Sequence, residues 1–274
     1  MQIITDSSCD LPKELIDKHD IIVVPLNIEI DESSYVDGVE LSHHDFYDKM
    51  AKSTTLPKTS QPSPHSFIEA FKEAAKKKKE ILSMHLSSKL SGTFETAMLA
   101  RGLLGEEVHI FDSLSGSMGL GLQVLKACKL VEEGLDVNGV IEKLKDYRDQ
   151  LKVYVYLETI ENAVKGGRVS KTKELIANLL NVKVVVHVED GYVKILKSLR
   201  GKKKAINFML EKIAEQQETI KDKVIGITHC DCLEDAMALK EEIIKRFNPE
   251  NVIITTMGPV IGTHAGQGGL LITF

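Results

Sequence analysis

Ile81-Leu82-Ser83-Met84-His85-Leu86-Ser87-Ser88-Lys89-Leu90-Ser91-Gly92-Thr93 runs from apolar residues into hydroxyls and a glycine, and a helical pattern follows from Thr93 to Leu104. This order predicts a buried strand (Ile81 to Leu86), a polar loop and a helix N-terminus. Free backbone N–H groups and the helix dipole at that terminus favour an anion. Two other segments have the same character: Thr59-Ser60-Gln61-Pro62-Ser63-Pro64 and Gly258-Pro259-Val260-Ile261-Gly262-Thr263-His264-Ala265-Gly266. Ser87 to Thr93 and these two segments together carry hydroxyls and one histidine, no acid and, apart from Lys89, no permanent cation. They suit a small carboxylate or phosphate and are poorly suited to a metal.

The flanking sequence extends this strand–loop–helix unit into an α/β fold. Ile3 to Thr5, Ile21 to Ile30 and Val108 to Phe111 read as strands. Helices are expected from Pro12 toward His19 with Asp10 as cap, from Ser42 to Ala51, and from Pro64 to Lys79 with Ser63 as cap. Two more run from Ser117 to Glu133, ended by Gly134, and from Asn138 to Leu151. Strands alternating with helices imply a parallel sheet with helices on both faces, and ligands in such sheets sit beyond the carboxyl ends of the strands. The second half has a different order. Val153 to Leu157 is a strand and Glu158 to Val164 a short helix. Val182 to Val188 and Tyr192 to Leu199 flank Glu189-Asp190-Gly191, a hairpin signal. Helices from Lys202 to Gln216 and Leu233 to Phe247 alternate with strands at Val224 to Thr228, Val252 to Thr256 and Leu270 to Thr273. The expected architecture is therefore α/β with two domains: residues 1–150 as a three-layer α/β/α domain, and residues 151–274 as a mixed-sheet α/β domain that closes the site.

Composition narrows the function. The chain has 274 residues, 43% of them hydrophobic, and a net charge of −5, so it can bury a sizeable core behind an ordinary solvated surface. No basic excess points to nucleic acid. The N-terminal residues read as a first strand, and no apolar stretch is long enough to cross a bilayer, so a cytoplasmic location is expected. Cys9, Cys128, Cys230 and Cys232 match neither a zinc ribbon nor a Cys-x-x-Cys pair, and His229-Cys230-Asp231-Cys232 reads as a strand end running into a helix. Lys76 to Lys79 reads as a solvated helix end, and His43-His44, adjacent on a helix, do not face one site.

Taken singly, Thr59, Ser63, Ser91 and Thr93 read as helix caps. Taken in order with three further segments, they carry a resemblance. These segments are Thr5-Asp6-Ser7-Ser8-Cys9-Asp10-Leu11-Pro12, Asp112-Ser113 with Gly119 and Gly121, and Lys165-Gly166-Gly167-Arg168-Val169-Ser170. With Lys58 to Ser63, Ser87 to Thr93 and Gly262 to Gly266, the chain resembles the DegV family of bacterial lipid-binding proteins along essentially its whole length. The resemblance implies a long-chain fatty acid bound between two domains and no other cofactor. Its carboxylate would lie at Thr59, Ser60, Ser91, Gly92, Thr93, Gly262, Thr263 and His264, with Arg168 near it. The resemblance also implies a carrier that is not a complete enzyme, with an ATP-binding fatty-acid kinase subunit as partner and Arg200 at the partner surface. Transient membrane contact is compatible with lipid exchange, although no strongly amphipathic anchor marks a docking face. The family's closing motif continues with proline where this chain has Gln267, which implies an extra donor beside His264 or a more mobile loop.

Two other readings of the residues stay open at this level. A serine hydrolase would use Ser91 as nucleophile and His264 as base, but no Gly-x-Ser-x-Gly elbow or orienting acid is visible. A binder of a small phosphorylated metabolite would use the Ser91-Gly92-Thr93 helix start.

Overall fold

The computed structural model describes residues 1–77, 80–104, 108–169, 182–215 and 220–274. Lys78 and Lys79 of the lysine run, Ser170 of the Lys165–Ser170 motif and Gln216 at the expected helix end lie outside the described residues.

The first half is built on a parallel sheet in the order β2-β1-β6-β7. The strands are β1 (Gln2–Asp6), β2 (Ile22–Val24), β6 (Ile81–His85) and β7 (Val108–Asp112). Consecutive side chains of β1 point to opposite faces, as the pleat requires. Ile4 packs with Phe67, Phe71, Ala97 and Ala100 of helices α3 (Pro64–Lys77) and α4 (Thr93–Leu104). Ile3 packs on the other face with Leu120, Val124 and Leu130 of α5 (Met118–Glu132). These are the expected three layers.

The run Ile21 to Ile30 is not one strand. It breaks at Pro25, which lacks the N–H a ladder needs, and Leu26 N donates instead to Ser7 Oγ (3.1 Å). The rest becomes β3 (Asn27–Ile30), the centre of a small antiparallel sheet with β4 (Ser33–Val36) and β5 (Lys58–Ser60). Asp10 is not the cap of α1 (Lys13–Lys18) either. It takes a left-handed φ of 51°, and its carboxylate reaches across the molecule. Ser42 does cap α2 (His43–Lys52), accepting from Asp45 N at 3.1 Å. Helix α6 (Val137–Gln150) completes this half and is capped by Asp136.

The second half is a six-stranded mixed sheet in the order β10-β9-β8-β13-β11-β12. Its strands are β8 (Val153–Leu157), β9 (Lys183–Glu189), β10 (Tyr192–Leu199), β11 (Val224–His229), β12 (Asn251–Thr256) and β13 (Leu270–Thr273). Asp190 and Gly191 turn the β9–β10 hairpin with φ of 51° and 80°, both positive, as a two-residue turn matched to strand twist requires. Helices α8 (Lys202–Ala214) and α9 (Leu233–Phe247) cover one face through Met209, Ile213, Leu239 and Ile243. The other face joins the core of the first half: Met118, Leu120, Val155 and Leu271 belong to one continuous apolar cluster. The short helices α7 (Glu161–Lys165) and α10 (Pro259–Ala265) lie at this junction. The sequence pattern predicts no helix at the latter. Pro259, with its φ preset and no N–H to lose, stands at its first turn.

Candidate functional site

Four separate pieces of chain converge at the junction: β5, the start of α4, the last turn of α10 and the turn after α7. Thr59 pairs with buried Ile28 in the small sheet, and its Oγ1 stands 3.4 Å from His264 Nε2. The two residues are 205 positions apart in sequence. Ser91 Oγ and Thr93 Oγ1 are hydrogen-bonded at 2.9 Å across the start of α4. The guanidinium of Arg168 ties two of the pieces together, donating to Leu90 O (3.2 Å) and Gly166 O (2.6 Å).

Backbone access explains the glycines. A Cβ on Gly92 would stand 2.0 Å from Gln61 Oε1, so the Gln61 amide rests on the bare backbone of the helix start and would have to shift to admit a side chain there. Gln61 Nε2 then donates to Thr96 Oγ1 (2.8 Å), which in turn donates to Gly92 O (3.0 Å). A Cβ on Gly166 would lie 2.2 Å from His264 Nδ1. His264 is therefore gripped between Gly166 and Thr59.

The electrostatics favour an anion. Burial, and after it the nearby charge of Arg168, lowers the pKa of His264 to about 4, so the ring is neutral at physiological pH. Burial also lowers Arg168, while its two carbonyl partners hold it in place. The Nδ1 atom of His264 is buried without a hydrogen-bond partner. A neutral imidazole with one unpartnered ring nitrogen thus sits beside a fixed cation and hydroxyl groups, an arrangement that can receive a carboxylate.

The scaffold that seats His264 spans the whole chain. Asp10 accepts from Gly258 N (2.9 Å) at the start of α10 and from Ser117 Oγ. Tyr47 Oη donates to Met257 O (2.8 Å). Beneath the Ser87 loop, Asp6 accepts from Leu86 N (2.9 Å) and pairs with His85 Nδ1 (3.0 Å), whose Nε2 meets Ser83 Oγ (2.6 Å). This Ser–His–Asp array is wholly buried, each member 0% exposed, and serves as scaffold.

Not every expected residue is brought to the site. Ser60 is exposed, because strand alternation turns it away from the face of Thr59. Thr263 is buried, and its hydroxyl donates within α10 to Pro259 O (2.8 Å). Gly262 packs against Tyr47 and Phe46, where a Cβ would lie 2.4 Å from the phenol oxygen. Arg200 is exposed just after β10. Gln267 supplies no donor to His264, since its amide binds Asp231 (2.9 Å) at the surface. The hydrolase arrangement is also missing, because Ser91 Oγ meets Thr93 rather than an imidazole nitrogen. Sequence reasoning gave no role to Gln61 or to the steric part of Gly166. The one available signal for both was their position inside the quoted hydroxyl and glycine segments.

Fold and site together define a two-domain α/β protein whose sheets meet at a polar cluster of hydroxyls, a buried imidazole and a guanidinium. The chain belongs to the DegV family, whose match, described as "Uncharacterised protein, DegV family", covers residues 1–274. A DegV domain-containing protein of Staphylococcus aureus is 37% identical over 268 residues, 98% of this chain and 96% of that one. Among solved structures, a DegV family protein from Thermus thermophilus, reported for fatty acid binding, superposes with a TM-score of 0.92 at 32% identity. That match covers 99% of this chain and 98% of the other. The fatty acid kinase B3 protein of Streptococcus pneumoniae, solved with linoleic acid, gives a TM-score of 0.86 at 25% identity over 100% of this chain and 98% of that one.

Proposed function

We propose that this protein binds a long-chain fatty acid between two domains, residues 1–150 and 151–274, and presents its carboxylate to a separate kinase subunit. The observation that carries this reading is the meeting of Thr59, the buried unpartnered imidazole of His264 and the Ser91–Thr93 helix start at one point beside Arg168. The fatty acid ligands named for structural relatives support it. In this reading Thr59, Ser91 and His264 donate to the carboxylate while Arg168 supplies long-range attraction. The tail enters the apolar cluster shared by both halves, which includes Leu86, Leu90 and Ile261. Each buried methylene contributes about 0.8 kcal/mol, so the roughly 14 methylenes of a palmitoyl chain supply most of the affinity and the polar groups set orientation.

The kinase partnership is drawn from the similarity to the fatty acid kinase B3 protein. The lipid would be a ligand and substrate held by a carrier, and phosphorylation would need an ATP-binding partner that approaches the surface of Arg200. Isothermal titration with oleate tests the binding. One-site binding that weakens in Thr59→Val and Ser91→Ala supports the reading. Unchanged affinity in both variants contradicts the head-group assignment, and preferential binding of a phosphorylated metabolite contradicts the ligand class.

A further inference from the structure

A cavity of about 720 Å³ opens beside Asp10, whose carboxylate accepts from Gly258 N at the start of α10, the opposite end of that helix from His264. Its walls come from both halves of the chain: Asp10, Asp37 and His43 on one side, His229 and Ile254 on the other. Its volume falls in the range of small-molecule sites.

Asp37 is the unexplained group. Among the described residues three aspartates are buried: Asp6, Asp10 and Asp37. Asp6 and Asp10 both accept from backbone N–H groups and hydroxyls. Asp37, only 2% exposed, has no hydrogen-bond partner on either carboxylate oxygen. The neighbouring Ser7 hydroxyl favours its ionised form but lies outside hydrogen-bond geometry to it. A buried carboxylate without a donor is among the least favourable groups a fold can hold.

The other lining groups show what is missing. Burial lowers the pKa of both His43 and His229, so neither brings positive charge. Lys13 is at the rim and pairs outward with Asp17 at 3.0 Å; Glu14 adds a further acid. The same burial pushes Asp37 up to about 7 and Asp10 up to about 8. A metal is a poor complement, because no group of three His, Cys, Asp or Glu residues among those described is arranged to hold one. What the cavity lacks is a compact cationic donor with an apolar body, since Leu11, Pro12 and Ile16 form much of the remaining wall.

We propose that this cavity binds a small aliphatic amine, whose ammonium group donates to Asp37 and whose chain lies along Leu11, Ile16 and Ile254. The site is separate from the carboxylate grip at His264 and does not depend on it.

The full chain is titrated with n-hexylammonium chloride by isothermal calorimetry, at a pH above the values to which burial pushes Asp37 and Asp10. Saturable one-site binding is expected, weaker by about tenfold or more in Asp37→Asn and unchanged in His264→Ala. A wild-type comparison with n-hexanol keeps the test decisive if Asp37→Asn fails to fold: the alcohol, lacking the charge, binds about tenfold or more weakly. No saturable binding to the wild-type chain, equal affinity for the alcohol, or full affinity in a folded Asp37→Asn variant would overturn the proposal and leave ordered water as the partner of Asp37.

Discussion

Replacing Gly166 with alanine perturbs the seat of His264 without touching any hydrogen-bonding side chain. The backbone at Gly166 is right-handed helical, with φ of −72°, so alanine carries no conformational penalty there and the effect is steric. The new Cβ would lie 2.2 Å from His264 Nδ1 and 2.6 Å from Cε1, with Asn162 O at 3.1 Å behind it. Restoring ordinary contact requires the ring to move by about 1 Å. It has little room to retreat toward Thr59, whose Oγ1 is already 3.4 Å from Nε2, so the ring must turn out of the site. Overpacking of this kind costs about 1–3 kcal/mol of stability, and in a chain of this size each kcal/mol lowers Tm by roughly 2–4 °C. Loss of one hydrogen bond to a charged carboxylate costs about 1.5–3 kcal/mol of binding, a rise in Kd of roughly 10- to 100-fold. Displacement of a fluorescent fatty acid measures this cleanly, since the chain contains no tryptophan. Gly102→Ala is the control: it is exposed within α4 with nothing within 4 Å of its Cβ, and is expected to stabilise by about 0.5–1 kcal/mol with binding unchanged. Wild-type affinity and Tm in Gly166→Ala would refute the packing argument.

Other perturbations follow from the same geometry. Thr59→Val and Ser91→Ala each remove a hydroxyl at constant fold, and Kd for oleate should rise about tenfold in each while the circular dichroism spectrum is unchanged. Burial, and after it the charge of Arg168, holds the pKa of His264 at about 4 in the folded chain, below the ordinary imidazole value of 6.5. Between those values the unfolded chain binds more protons, so stability falls as pH drops through that window, and His264→Gln should flatten the slope in chemical denaturation. A bound carboxylate favours the imidazolium, so calorimetry in buffers of different ionisation enthalpy at about pH 5–6 should show proton uptake on binding that disappears in His264→Gln. Arg200→Ala should leave lipid affinity unchanged and slow phosphorylation by the kinase subunit, read as acyl phosphate formed per unit time.

What the sequence revealed depended on how local the cause was. The β6–loop–α4 unit was legible because an apolar run, a hydroxyl cluster and a glycine each act within a few residues. The Ser42 cap was legible for the same reason, and so was the Asp190-Gly191 turn with its two positive φ angles. Asp10 has the residue type and position of a cap, yet its carboxylate serves Gly258, 248 residues away, a partner no local pattern reveals. The break at Pro25 and the Asp31-Glu32 turn from β3 into β4 have local causes hidden in and just after a β-branched run, whereas β5 follows from pairing with the distant β3, where propensity is overridden by context. Thr59, Ser91, Arg168 and His264 were each visible as residues worth noticing. Their convergence, and the roles of Gln61 and Gly166 in enforcing it, came from packing between separate pieces of chain, from Gln61 and Thr96, 35 positions apart, to Thr59 and His264, 205 positions apart.

The most direct test of the central claim is native mass spectrometry of the purified protein, followed by denaturing organic extraction. The proposed function predicts a long-chain fatty acid at near one-to-one stoichiometry, or its uptake to that ratio when oleate is added. A protein that carries no fatty acid and takes up none would contradict it.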